Sequence, residues 1–128
     1  MTMDKYDLFM KDVIAKTGAG SLKWNVVSPG KYSEFIFQSP YAYQAFATQY
    51  SKDGHNYTLV FVNKKMPSHN EDFDIVVEKH SSEILVIENG VLILTLNDSY
   101  VSEHDIVSLA LEIEDKSQAA RDLFKGFQ

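Results

Sequence analysis

An α+β fold built on one antiparallel sheet is predicted by three features of the sequence. Both ends carry apolar residues at helical spacing. The middle holds short runs rich in aromatic and β-branched residues. Two turn signals, Asp53-Gly54 and Asn89-Gly90, fold neighbouring runs back on each other. The predicted order is a helix, a meander of six or seven strands, and a helix, with the two helices packed on one face. At 128 residues, 45% hydrophobic and 23% charged, the chain has the size and composition of a globular domain. No linker, repeat or low-complexity stretch divides it, so residues 1–128 are read as a single domain.

The first segment, Asp4 to Thr17, sets Tyr6, Phe9, Met10, Val13 and Ile14 on one helical stripe, and Gly18-Ala19-Gly20 ends it. Leu22, Trp24 and Val26 alternate with polar residues as a strand with one buried side does. Ser28-Pro29-Gly30 marks a turn. Tyr32 to Gln38 and, after Ser39-Pro40, Tyr41 to Ser51 read as two further strands. A two-residue loop at Asp53-Gly54 places Tyr50 opposite Tyr57, Thr48 opposite Leu59 and Phe46 opposite Phe61. One side of this pair is then large and aromatic, and the other carries the smaller Ala45, Ala47, Val60 and Val62.

Lys64 to Asp72 reads as a polar loop, and Phe73 to Glu78 as a return to strand. Glu83–Glu88 and Val91–Leu96 flank Asn89-Gly90, the strongest hairpin signal in the chain. The pairing puts Leu85, Ile87, Leu92 and Leu94 on one face and Ile84, Val86, Val91 and Ile93 on the other. Both faces are apolar, which predicts a hairpin at the centre of the sheet, covered on both sides. Ser102 can cap the closing helix, with Asp105 in its first turn. Ile106, Leu109, Ala110, Ile113, Ala120, Leu123 and Phe124 mark its stripe, and Glu114 to Ser117 is a point where it can divide.

The chain has no cysteine, which removes disulfides, thiolate metal sites and thiol nucleophiles, and it suits a reducing cytoplasm. The opening residues lack the basic and apolar regions of a signal peptide. The longest apolar stretch, Ile84 to Leu96, is too short and interrupted to span a bilayer. A soluble cytoplasmic protein without membrane contact is therefore expected. The net charge of −6 is unevenly spread. Residues 1–64 carry seven lysines against five acids, and residues 65–128 five basic against thirteen acidic residues. An acidic second half with Arg121 as the lone arginine disfavours phosphate backbones, so nucleic acid is not an expected partner.

The sequence carries no local catalytic motif, which leaves open a Ser-His-Asp triad or another site assembled through space. His55, His69, His80 and His104 are too far apart along the chain for a local zinc pair. Glu71, Asp72 and Asp74, with Glu78 beyond, form the densest acidic stretch, and Asp72, Asp74 and Glu78 share a face in strand geometry. They lack the glycine and ligand ladder of a calcium loop and read better as a solvated strand edge. Gly18-Ala19-Gly20 follows a helix, where a phosphate loop precedes one. No cofactor or metal is expected.

Ten of the sixteen aromatic residues fall between Trp24 and Phe61. If the helices cover the small side of the sheet, the tyrosine-rich side is left to loops, a second subunit or a partner. The candidate partner-binding residues are accordingly Glu71, Asp72, Asp74 and Glu78 with Tyr43, Tyr50 and Tyr57.

Gly20-Ser21-Leu22-Lys23-Trp24 after a short amphipathic helix, followed by a meander and a capped terminal helix, resembles a pattern met in small bacterial and phage-borne proteins. In size, acidity and α+β content the chain is also similar to immunity proteins that neutralise bacterial toxins. These resemblances imply a non-enzymatic protein-binding domain, in particular an immunity- or antitoxin-like inhibitor of a basic toxin. Two other readings stand beside it. A small enzyme or ligand-binding domain needs residues such as His55, His69, His80, Asp72 and Asp74 to meet in one pocket. A homodimer closes sheet face on sheet face.

Overall fold

The computed structural model describes residues 4–70 and 72–127 and has one open antiparallel sheet of five strands with three helices. The elements are α1 (Lys5–Gly18), β1 (Asn25–Val27), β2 (Ala42–Lys52), β3 (His55–Asn70), β4 (Ile75–Glu88), β5 (Val91–Leu96), α2 (Glu103–Lys116) and α3 (Gln118–Phe124). The strand order is β1-β2-β3-β4-β5, each strand lying beside its sequence neighbours. Among the described residues no helix is long and apolar enough to cross a membrane.

The turn chemistry acts as predicted. Asp53, Gly54, Asn89 and Gly90 all have positive φ (52°, 82°, 52° and 77°), the left-handed pair that a two-residue hairpin turn requires. Lys52 opposes His55, and the register Tyr50–Tyr57, Thr48–Leu59 and Phe46–Phe61 follows. Ser102 caps α2 by accepting from the Asp105 N–H at 3.1 Å. Ser117 is extended and caps α3 through the Ala120 N–H at 3.2 Å, so the closing helix does divide at this serine.

The strand count is five because two expectations fail. Tyr32 to Gln38 forms no strand. It turns tightly, with Phe35 N–H donating to Tyr32 O and Ile36 N–H to Ser33 O, and crosses the sheet face to bury Ile36. Lys64 to Asn70 forms no loop. It continues β3 and pairs with Ile75–Ser81, which fuses the two predicted strands around Val77 and Ile84 into one long β4. Pro67 is tolerated because, among the described residues, no strand lies outside it: β2 stops pairing at Lys64.

Nor is the Asn89-Gly90 hairpin central as a whole. Its first arm is interior, with Ile84, Leu85, Val86 and Ile87 all buried. Its second arm, β5, is the rim, because the chain leaves the sheet after Leu96 to enter α2. A bulge opposite Val86 and Ile87 shifts the pairing. Leu94 therefore joins Ile84 and Val86 on one face, while Leu92 joins Leu85 and Ile87 on the other.

The two faces are covered in the reverse of the sense expected from residue size. Met10 and Val13 of α1 and Ile106, Leu109 and Ile113 of α2 form one core with Phe46, Tyr50, Leu59, Phe61, Ile84, Val86 and Leu96. The small face, with Ala45, Val60, Val62, Leu85 and Ile87, is covered by Ile36 and by the partly buried Tyr32 and Phe35. Large side chains fill the space beneath a pair of thick helices, whereas a single irregular strand of chain lies close to the sheet and needs small residues under it. The side holding Phe46, Tyr50 and Phe61 is therefore core.

Candidate functional site

Strands β3 and β4 outrun their neighbours. Pairing of β2 ends where Ala42 meets Lys64, and pairing of β5 ends where Leu96 meets Ile84. Beyond these points Lys65–Asn70 and Ile75–Ser81 continue as a two-stranded ribbon that reaches roughly 20 Å past the sheet. Apolar residues are concentrated on it. Phe73 is 71% exposed, Val76 68%, and Ile75 and Val77 are also exposed. Val76 lies across from His69 on one face of the ribbon, and Val77 and Ile75 across from Ser68 and Asn70 on the other. Large apolar side chains on both faces of a projecting element have no core of their own to enter.

Carboxylates flank this apolar run. Asp74, with φ +49°, ends the ribbon's turn; its carboxylate is almost fully exposed and lies 3.2 Å from His69 Nε2. Glu78 sits 3.4 Å from His80 Nε2. Asp72 is exposed in the same turn, and Glu71 lies outside the described residues. At the ribbon's base a bulge between Ala42 and Gln44 presents Tyr43, which stays exposed. Lys65 Nζ stands 4.4 Å from its ring centroid, and the His80 ring meets it edge-on at 6.5 Å.

The base is anchored from within by Lys64 and Glu83, whose side chains are about nine-tenths buried or more. Their charged atoms lie 3.5 Å apart, and Lys64 Nζ also donates to Phe37 O at 3.1 Å. Burial pushes the Glu83 carboxyl above its ordinary range, against the pull of Lys64. Elsewhere the Tyr50 hydroxyl donates to Asp12 Oδ2 at 2.5 Å, and this bond, helped by Lys16, holds Asp12 below its ordinary range. Burial in turn pushes the Tyr50 phenol up.

The predicted site residues thus separate. Asp72 and Asp74 lie in the ribbon's turn, Glu78 along the ribbon and Tyr43 at its base. Tyr50 is 3% exposed beneath α1 and is closed to a partner, and Tyr57 packs against the same core while stacking on His55. His55, bonded to Glu88 at 2.8 Å, opens β3, whereas His69 lies near its far end, on the order of 45 Å along the strand. His69 and Asp74 do meet, but on an exposed turn. No group of three His, Asp or Glu side chains among the described residues could hold a metal ion.

No family model, curated protein or solved structure matches this chain. The site is therefore read from its own chemistry. Phe73, Ile75, Val76 and Val77 are absent from the sequence-predicted set. Their signal was Ile75-Val76-Val77 just after Phe73, a strongly β-forming run whose apolar residues do not alternate with polar ones. Nothing in Asn63-Lys64-Lys65 marks which lysine is buried.

Proposed function

We propose that this chain is a non-enzymatic protein-binding domain that engages its partner through the ribbon formed by Lys65–Asn70 and Ile75–Ser81. The observation that carries this reading is the apolar set Phe73, Ile75, Val76 and Val77 standing clear of the body. A ribbon with free edges offers main-chain hydrogen bonds, and its side chains offer anchors for pockets on a partner. The carboxylates Asp72, Asp74 and Glu78 around those anchors fit a partner whose groove is rimmed by lysine or arginine. The acidic second half of the chain would steer such a partner towards the site.

An immunity- or antitoxin-like inhibitor of a basic bacterial toxin is the specific form of this reading that we favour. In that role the ribbon would enter and block a basic substrate cleft. The test is co-purification and titration with the product of the neighbouring gene, using the native chain beside Phe73→Lys and Val76→Lys. Both substitutions lie at exposed positions and should leave the fold intact. We expect the native chain to bind and the variants to bind on the order of tenfold more weakly or worse. Equal binding by native chain and variants would remove the ribbon from the interface. Failure of the native chain to bind any co-expressed neighbour would remove the inhibitor reading.

A further inference from the structure

We propose that strand β5 is a self-association edge, along which two copies of this chain pair antiparallel about a two-fold axis and join their sheets into one. The two rims of the sheet differ in the way this requires. At one rim the outer strand is the short Asn25–Val27, and beside it the Thr48 hydroxyl donates to Lys23 O at 2.9 Å, which ties down the adjoining margin of β2. At the other rim Val91–Leu96 pairs with β4 and, among the described residues, has no strand outside it. Its outward N–H and C=O groups form a template for a further strand. The strand reads Val-Leu-Ile-Leu-Thr-Leu and lacks lysine, proline or inward charge; of the devices with which natural edges discourage pairing it carries the bulge opposite Val86 and Ile87.

Both layers of the core are open at this rim. Leu92 packs with the cluster on one face and Leu94 with the cluster on the other, yet each is only partly buried. Val91 is 60% and Ile93 52% exposed. A lone peptide strand would satisfy the backbone but leave the two layers uncovered. A second copy brings a sheet with the same two layers at the same level, so each copy closes the other's leucines. An antiparallel pairing of an uncharged strand with itself sets no like charges face to face.

The test is the mass in solution by light scattering and sedimentation, from low micromolar to millimolar chain, for the native protein, Ile93→Lys and Val91→Lys. Val26→Lys at the opposite rim and Val76→Lys on the ribbon serve as controls, with circular dichroism reporting the fold. We expect the native chain and both controls to reach dimer mass, and each β5 variant to weaken the dimer on the order of tenfold or more. Backbone amides of β5 should become more protected from hydrogen exchange as the native chain is concentrated. A native chain that keeps monomer mass throughout would overturn the proposal. Dimerisation of Ile93→Lys as tight as that of the native chain would overturn it equally.

Discussion

The two halves of β3 and β4 make an informative contrast, because the same two strands, in unbroken register, pass from core to solvent. Between Leu59–Val62 and Ile84–Ile87 every residue is buried, on both faces. Between Lys65–Asn70 and Ile75–Ser81 the pairing continues residue for residue, but among the described residues no third strand accompanies it. Ladder hydrogen bonds extend the ribbon, while burial comes from flanking elements that stop at Ala42 and Leu96. Strand pairing and core formation are thus separable here, and the separation frees apolar residues for contact with another molecule.

Truncation at matched positions tests that separation most strongly. Leu85 and Val77 lie on the same strand and the same face of its pleat. Leu85→Ala should cost about 2–5 kcal/mol in urea denaturation by leaving a cavity in the core. Val77→Ala should fall within about 0.5 kcal/mol.

At the junction of the two halves, Lys64→Met leaves the Glu83 carboxylate buried without its counter-ion and should cost about 3 kcal/mol at neutral pH. Folding raises the Glu83 pKa. Its favourable contribution is therefore complete below the unfolded carboxyl's value and is lost as pH rises through the folded value. The destabilisation by Lys64→Met should accordingly shrink on acidification, as Glu83 takes up a proton. The double variant Lys64→Met/Glu83→Leu should recover native stability or exceed it, because two desolvated charges are removed together.

Tyr50→Phe should have a smaller effect, about 1 kcal/mol at neutral pH, since Asp12 is partly exposed and solvent screens the lost hydrogen bond. Here the sign is opposite. Folding lowers the Asp12 pKa, so the stability is present above the unfolded carboxyl's value and is lost as pH falls through the folded one. The gap between native chain and Tyr50→Phe should close in acid, as denaturation curves across that range will show.

Local chemistry made much of the fold legible. Asp53-Gly54 and Asn89-Gly90 fixed both tight turns, and with the first came the register of β2 on β3, down to Tyr50 opposite Tyr57. Ser102 marked the start of α2 in the same way. What remained hidden depended on distant parts of the chain. Tyr32 to Gln38 has the composition of a strand, but Ile36 gains more by crossing a sheet face than by pairing at its edge. Lys64 to Asn70 looks like a loop by composition, yet its partner across Asp74 extends the ladder through it. The acidic half of the site was visible as Asp72, Asp74 and Glu78. Its apolar half was not, because a run such as Ile75-Val76-Val77 has the same appearance in a buried strand as in a projecting one.

The bond from Trp24 Nε1 to Thr17 Oγ1, 3.0 Å long, has an optical consequence. Trp24 is the single tryptophan, 1% exposed in the core that α1 and α2 share, so its emission reports on the helical layer. Events at the ribbon, far from that indole, should leave the emission unchanged. Because the chain lacks cysteine, a Ser68→Cys variant would accept a thiol-reactive dye at one place only, giving the ribbon a colour of its own.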